Sequence, residues 1–150
     1  KTSLGQLIGV HPDLVQVVKR AIELTSQDFG VHEGLRTLET QREYVKRGVS
    51  RTLNSRHLKQ MDGYGHAVDL VPYINGVLRW EWPLIYPIAS AMHKAAAELH
   101  VVLTWGGVWD RSLNSFWPGS ADEMKAAVRA YGERHPHGLR DGPHYQLGAP

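Results

Sequence analysis

The chain has no cysteine. That removes disulfide frameworks and every thiolate metal site, so a transition ion bound here has to be held by histidine and carboxylate. It also leaves the compartment open, because a protein without thiols is indifferent to redox poise. No run approaches the roughly 18 to 20 consecutive apolar residues a membrane-spanning helix requires, and the opening Lys1-Thr2-Ser3-Leu4-Gly5 lacks the apolar stretch of a secretion signal. We expect a soluble protein with no membrane partner, although a residue 1 other than Met is compatible with an earlier leader. Charge of one sign is scarce too: a net charge of +2 with 21% charged residues describes an ordinary, mildly basic surface. The clustered Lys and Arg of a nucleic-acid binder are not expected. Internal repeats and low-complexity linkers are also missing.

What is present suffices for one core. At 150 residues, 42% of them hydrophobic, the chain predicts a single domain over 1–150 and has no room for a second full one. Apolar residues at helical spacing predict a helix from Pro12 to Asp28 carrying Leu14, Val17, Val18, Ala21, Ile22 and Thr25. A short strand follows at Phe29 to Leu35, then a helix from Thr37 to Arg47 ended by Gly48. Periodicity vanishes from Val49 to Tyr64, which reads as a long surface loop; unstructured loops of that length are often functional.

Ala67 to Val71 reads as a strand, and Asn75-Gly76 as the turn of a hairpin spanning Tyr73 to Trp80. Pro83 to His100 predicts a helix burying Ile85, Ile88, Ala89, Met92, Ala95, Ala96 and Leu99, followed by a β-branched strand at Val101 to Thr104. Ser120-Ala121-Asp122-Glu123 has the form of a capping box opening a helix through Tyr131, and His144 to Leu147 is a final strand. The mixture predicts an α+β fold with a small, mainly antiparallel sheet flanked by helices.

Four clusters carry possible chemistry. His57 and Asp69 stand twelve residues apart, with small residues in Gly65-x-Ala67 that would let the backbone pass close to a metal beside the strand that holds Asp69. Asp141-Gly142-Pro143-His144-Tyr145 can aim an imidazole at a metal and a carboxylate at its water across one turn; taken alone it is also an ordinary turn. Gly34-Leu35-Arg36-Thr37-x-x-x-Gln41 places an arginine at a strand–helix junction, where its donors can meet a substrate carboxylate or an oxyanion, or merely form a surface ion pair. Trp105-Gly106-Gly107-Val108-Trp109 can line a cleft or fill a core. His66 competes with His57 as a ligand, but strand alternation sends His66 and Asp69 to opposite faces while 67 and 69 share one, which favours His57.

Taken in order, Gly34-x-Arg36-Thr37-x-x-x-Gln41, Ser55-x-His57, Gly65-x-Ala67-x-Asp69, Trp105-Gly106-Gly107 and Asp141-x-x-His144-Tyr145 resemble the zinc D-Ala-D-Ala carboxypeptidase and L-alanyl-D-glutamate endopeptidase family. Val108 stands where relatives often carry Asp. The resemblance implies a hedgehog/D-Ala-D-Ala-peptidase-like fold and one Zn2+ ion held by His57, Asp69 and His144. It further implies Asp141 as general base, Arg36 as the group steadying substrate or oxyanion, Gln41 as a support for that arginine or for the substrate, and Trp105 and Tyr145 on the substrate side.

Within that family the chain looks most like a phage endolysin that cuts the L-Ala to D-Glu bond of peptidoglycan stem peptides. It would act as a monomer made in the bacterial host cytoplasm, reaching the wall after membrane permeabilisation. A D,D-carboxypeptidase, a non-catalytic zinc-containing binding module and a chance constellation in a metal-free domain are the alternatives.

Overall fold

A computed structural model describes residues 2–150. Its elements run α1 (Ser3–Gln6), α2 (Pro12–Leu24), β1 (Phe29–Glu33), α3 (Leu38–Lys46), β2 (Ala67–Ile74), β3 (Val77–Leu78), α4 (Trp82–Leu99), β4 (Leu103–Trp105), a 3-10 turn at Leu113–Ser115, α5 (Ala121–Arg134) and β5 (His144–Leu147). The sheet order is β1-β2-β5-β4 with β3 hairpinned onto β2, and every pairing is antiparallel. This is the expected α+β architecture.

Local chemistry accounts for the element boundaries. Thr37 accepts a hydrogen bond from the Thr40 amide to start α3, and Gly48 follows its end at φ 74°, a left-handed value that glycine adopts without a Cβ clash. Asn75 and Gly76 both take positive φ, the geometry that lets a two-residue turn match the strand twist. Ser120 caps α5 by accepting from the Glu123 amide. The Glu123 carboxylate reaches past the expected reciprocal bond to the amides of Trp117 and Gly119, so it ties the preceding loop rather than the cap itself.

Pleat alternation gives the sheet two different faces. Val68 and Leu70 of β2 and Leu103 and Trp105 of β4 join Tyr145 of β5 in a core with α2, α4 and α5. Each large apolar side chain buried there stabilises the fold by roughly 1.5–3 kcal/mol. The opposite face presents Asp69 and His144, directly paired across β2 and β5, and the register continues to Glu33 of β1. The 49–64 segment has no helix or strand, as expected, and is stitched in by short bridges of Arg36 to Leu58 and Lys59 to Gly65.

Three sequence expectations need correction. The first long helix stops at Leu24, because the Thr25 backbone turns extended and its hydroxyl closes a local turn with Gln27. Leu99 is 41% exposed on the last turn of α4, where the helix has run past its packing partners. The β4 strand begins only at Leu103, since His100 in a left-handed conformation ends α4 and Val101 is spent reversing the chain, its amide still bonded to Ala96.

Candidate metal centre and active site

Each candidate ligand arrives on a different piece of chain. His57 ends a turn in which the Ser55 hydroxyl accepts from the His57 amide, and its ring is 2% exposed. The His57 Nδ1–H donates to the Gly34 carbonyl at 2.8 Å, and because a carbonyl can only accept, the facing Nε2 is left with a lone pair. His144 is fixed in the complementary way: its Nε2–H donates to Gln146 Oε1 at 2.9 Å, leaving Nδ1 bare. Asp69 Oδ1 lies 3.3 Å from His57 Nε2 and 3.3 Å from His144 Nδ1, and it is buried with no hydrogen-bond partner among the described residues.

Three lone-pair-bearing atoms have thus been brought together with no donor between them. Such a group is costly unless a cation sits among the three. The buried His57, Asp69 and His144 group could hold a metal ion, and imidazole and carboxylate are donors that suit zinc. The second hydrogen bond on each ring is what ligating histidines require to hold their tautomer. Without an ion, burial opposes charge on Asp69, yet the facing His144 and His57 outweigh it and hold the carboxyl below its usual range. His144 is raised in turn, its own burial being offset by Asp69.

Around this group opens a cleft of about 580 Å3 whose walls include Arg36, Tyr44, Arg51, Trp109 and Asp141. Asp141 sits at the start of the turn into β5, with its amide donating to the Gly106 carbonyl and its carbonyl accepting from His144. A Cβ on Gly106 would stand 2.1 Å from the Asp141 carbonyl oxygen, so only glycine lets this backbone in. Burial, and then the negative charge of Asp69, push the Asp141 carboxyl above the ordinary range, against the pull of His144, His57 and Arg36. That direction suits a group that must accept a proton and release it again.

Arg36 lines the cleft but is heavily tethered. Its Nε pairs with Glu33, one terminal nitrogen donates to Gln41 and Ser55, and the guanidinium lies 4.7 Å from the Tyr44 ring centre. Gln41 is fully buried and passes its own amide hydrogens to Ser50 and Thr52. It therefore positions Arg36 and the rim loop and does not reach substrate, which corrects one of its two expected parts.

Trp105 and Tyr145 are also corrected. Both are 0% exposed and stack on each other on the core face, one residue out of phase with the ligands on β5. Trp105 acts from behind, donating its indole N–H to the Gly142 carbonyl at 2.7 Å and so steadying the Asp141 turn. Trp109 faces the cleft opposite this core pair, its ring 5.2 Å from that of His144, and Tyr44 lines the same cleft. His66 points away and binds Asp62 at 2.7 Å, in agreement with the alternation argument. Gly65 owes its small size to the His57 carbonyl, 3.0 Å from where its Cβ would be, rather than to a metal.

Sequence reasoning passed over Glu33, Tyr44 and Gln146. Spacing was a usable signal for Gln146, two residues beyond His144 on the same strand face, whereas Glu33 reaches Asp69 only through the β1–β2 register. Val108, where relatives often carry Asp, is 1% exposed in the core and takes no part in the cleft.

Fold and site together define a class: an α+β domain in which a buried His-Asp-His group that could hold one metal ion lies at the foot of an open cleft beside the Asp141 carboxylate. Residues 1–147 match the family model of phage L-alanyl-D-glutamate peptidases, and the chain belongs to that family. It is 33% identical over 148 residues to the L-alanyl-D-glutamate peptidase of Escherichia phage T5, covering 98% of this chain and 95% of that protein. The crystal structure of the L-Ala D-Glu endopeptidase ChiX of Serratia marcescens superposes with a TM-score of 0.71 at 37% identity, covering 98% of this chain and 86% of the other.

Proposed function

We propose that this protein is a zinc-dependent L-alanyl-D-glutamate endopeptidase that cuts the stem peptides of peptidoglycan, serving a phage as its endolysin. The observation that carries the reading is the convergence of His57 Nε2, Asp69 Oδ1 and His144 Nδ1 with no donor among them, beside the free carboxylate of Asp141. Two relatives that match nearly the full chain carry the L-Ala to D-Glu specificity in their names, which favours this bond over the terminal D-Ala bond.

A zinc ion held by His57, Asp69 and His144 would supply Lewis acidity toward the peptide carbonyl and a lowered pKa for the attacking water. The chain's own groups do the rest. The Asp141 carboxylate takes the proton from the attacking water and hands it to the nitrogen of the departing amine. Arg36, held rigid by Glu33 and Gln41, presents its remaining nitrogen to the carbonyl oxygen as charge builds there. Trp109 gives the cleft an apolar wall against which the peptide lies. In this reading residues 1–150 act as one catalytic domain, and the protein, a monomer, works on the wall after release from the host cytoplasm; the single buried core supports the first part.

Digestion of purified peptidoglycan, with products identified by mass, tests the proposal. Stems freed behind the glycan-linked L-Ala, formed with zinc and not with a chelator, are expected. Loss of terminal D-Ala alone, or cleavage indifferent to chelation, would overturn it.

A further inference from the structure

A second cavity, about 520 Å3, opens on the far side of the Asp141 turn. One wall is the stacked pair Trp82 and Tyr86, with ring centres 5.8 Å apart. Its rim holds Lys125, Arg129 and Arg140, and no carboxylate lines it. Arg129 has only a loose partner in Glu133 at 3.8 Å, both side chains being largely exposed; Lys125 and Arg140 have no ion partner among the described residues. Two other arginines of this surface are closely paired, Arg20 with Glu98 and Arg134 with Asp110. Three cations gathered around an aromatic wall, with only the loose Arg129–Glu133 contact set against them, form a site for an anion that also carries apolar surface.

Its position names the anion. Leu139 lines both this cavity and the metal cleft, is 61% exposed, and lies two residues before Asp141. Gly142, next to Asp141, packs under Trp82, whose ring would be 2.9 Å from a Cβ there. The candidate base thus sits on a saddle between two cavities, and a chain leaving the cleft over Leu139 enters the second. In a peptidoglycan stem the part beyond the L-Ala to D-Glu bond is the part that carries free carboxylates, on D-Glu and on the residues after it.

We propose that the Trp82, Tyr86, Lys125, Arg129 and Arg140 cavity is an extended subsite for the carboxylate-bearing segment of the stem peptide beyond the cleaved bond. This rests on the peptidase reading of the neighbouring cleft. It makes the protein selective for longer stems with free carboxylates over truncated or amidated ones.

The test uses zinc-loaded protein and two synthetic stem peptides, one with free carboxylates beyond D-Glu and one with those carboxylates amidated. In an Asp141→Ala background, titration calorimetry should show Lys125→Gln with Arg140→Gln weakening the free-carboxylate peptide about fivefold, the size of an exposed charge contact, and Arg140→Lys restoring most of it. The amidated peptide should bind both forms equally, and KM in the active protein should follow the same split. Equal weakening of both peptides would indicate a packing change, and no weakening an idle cavity; either overturns the proposal. So does a loss seen only on whole walls, which would indicate a phosphate-bearing wall polymer. Because binding is read without turnover, a protein that holds the stem through these cations yet cuts nothing would sink the peptidase reading alone.

Discussion

Asp141 concentrates the chemistry of the account in one side chain. It is the titratable group in the cleft whose ionisation is opposed by both burial and a neighbouring negative charge, and it ligates nothing. Asp141→Ala should keep the metal and lose about 10²- to 10⁴-fold in kcat, the usual worth of a positioned base; kinetics on a stem peptide alongside metal analysis checks both halves. An unchanged kcat would move the proton-accepting part elsewhere. The two candidate ligand histidines have their outer nitrogens engaged, by Gly34 for His57 and by Gln146 for His144. Those two contacts choose which nitrogen faces inward, and residue type alone says nothing of them. Thus the sequence motifs pointed to the identities of the ligands, whereas the tautomers waited for the fold.

At the scale of elements, the Trp105-Gly106-Gly107 motif is a seat for the Asp141 turn. Gly106→Ala puts a methyl 2.1 Å from the Asp141 carbonyl oxygen, so the turn must shift. We expect a cost of about 1–3 kcal/mol in stability and a fall in kcat with zinc content unchanged, read by thermal melting, kinetics and metal analysis on one preparation. A second tie links the loop after β4 to the end of α5, where Arg134 and, more weakly, His135 hold Asp110 down to about 2. A depressed carboxyl stabilises the fold above its unfolded pKa of about 4 and loses that contribution as pH falls toward the folded value. Asp110→Asn should therefore lower Tm at neutral pH by more than it does near pH 3, with high salt shrinking the difference because the pair is part exposed. Most elements were legible because their signals are local: Ser120 as a cap, Gly48 as a helix stop, Asn75-Gly76 as a turn, the apolar stripes of α2 and α4. What the residues did not reveal was facing. Trp105 and Tyr145 carry the aromatic surface a cleft wants, but their phase on β4 and β5 sends them to the core, and the pairing register that decides this is a long-range property.

For the whole molecule, the sheet is a partition. Helices α2, α4 and α5 close one face over an apolar core, and the loops around β1 and β2 close the other over polar ligands, so stability and chemistry occupy opposite sides of the same strands. The arrangement explains how one small domain can gather Asp69, His57 and His144: the apolar layer behind stabilises the strands that pair Asp69 with His144, and the loop contacts to Gly34 and Ser55 bring His57 onto them. It also predicts that removing a ligand should cost metal before it costs the fold. The most direct measurement is native mass spectrometry of the zinc-loaded protein, wild type against His57→Ala and His66→Ala. One ion per chain is expected in the wild type and in His66→Ala, and none in a still-folded His57→Ala. An ion kept by His57→Ala and lost by His66→Ala would contradict it.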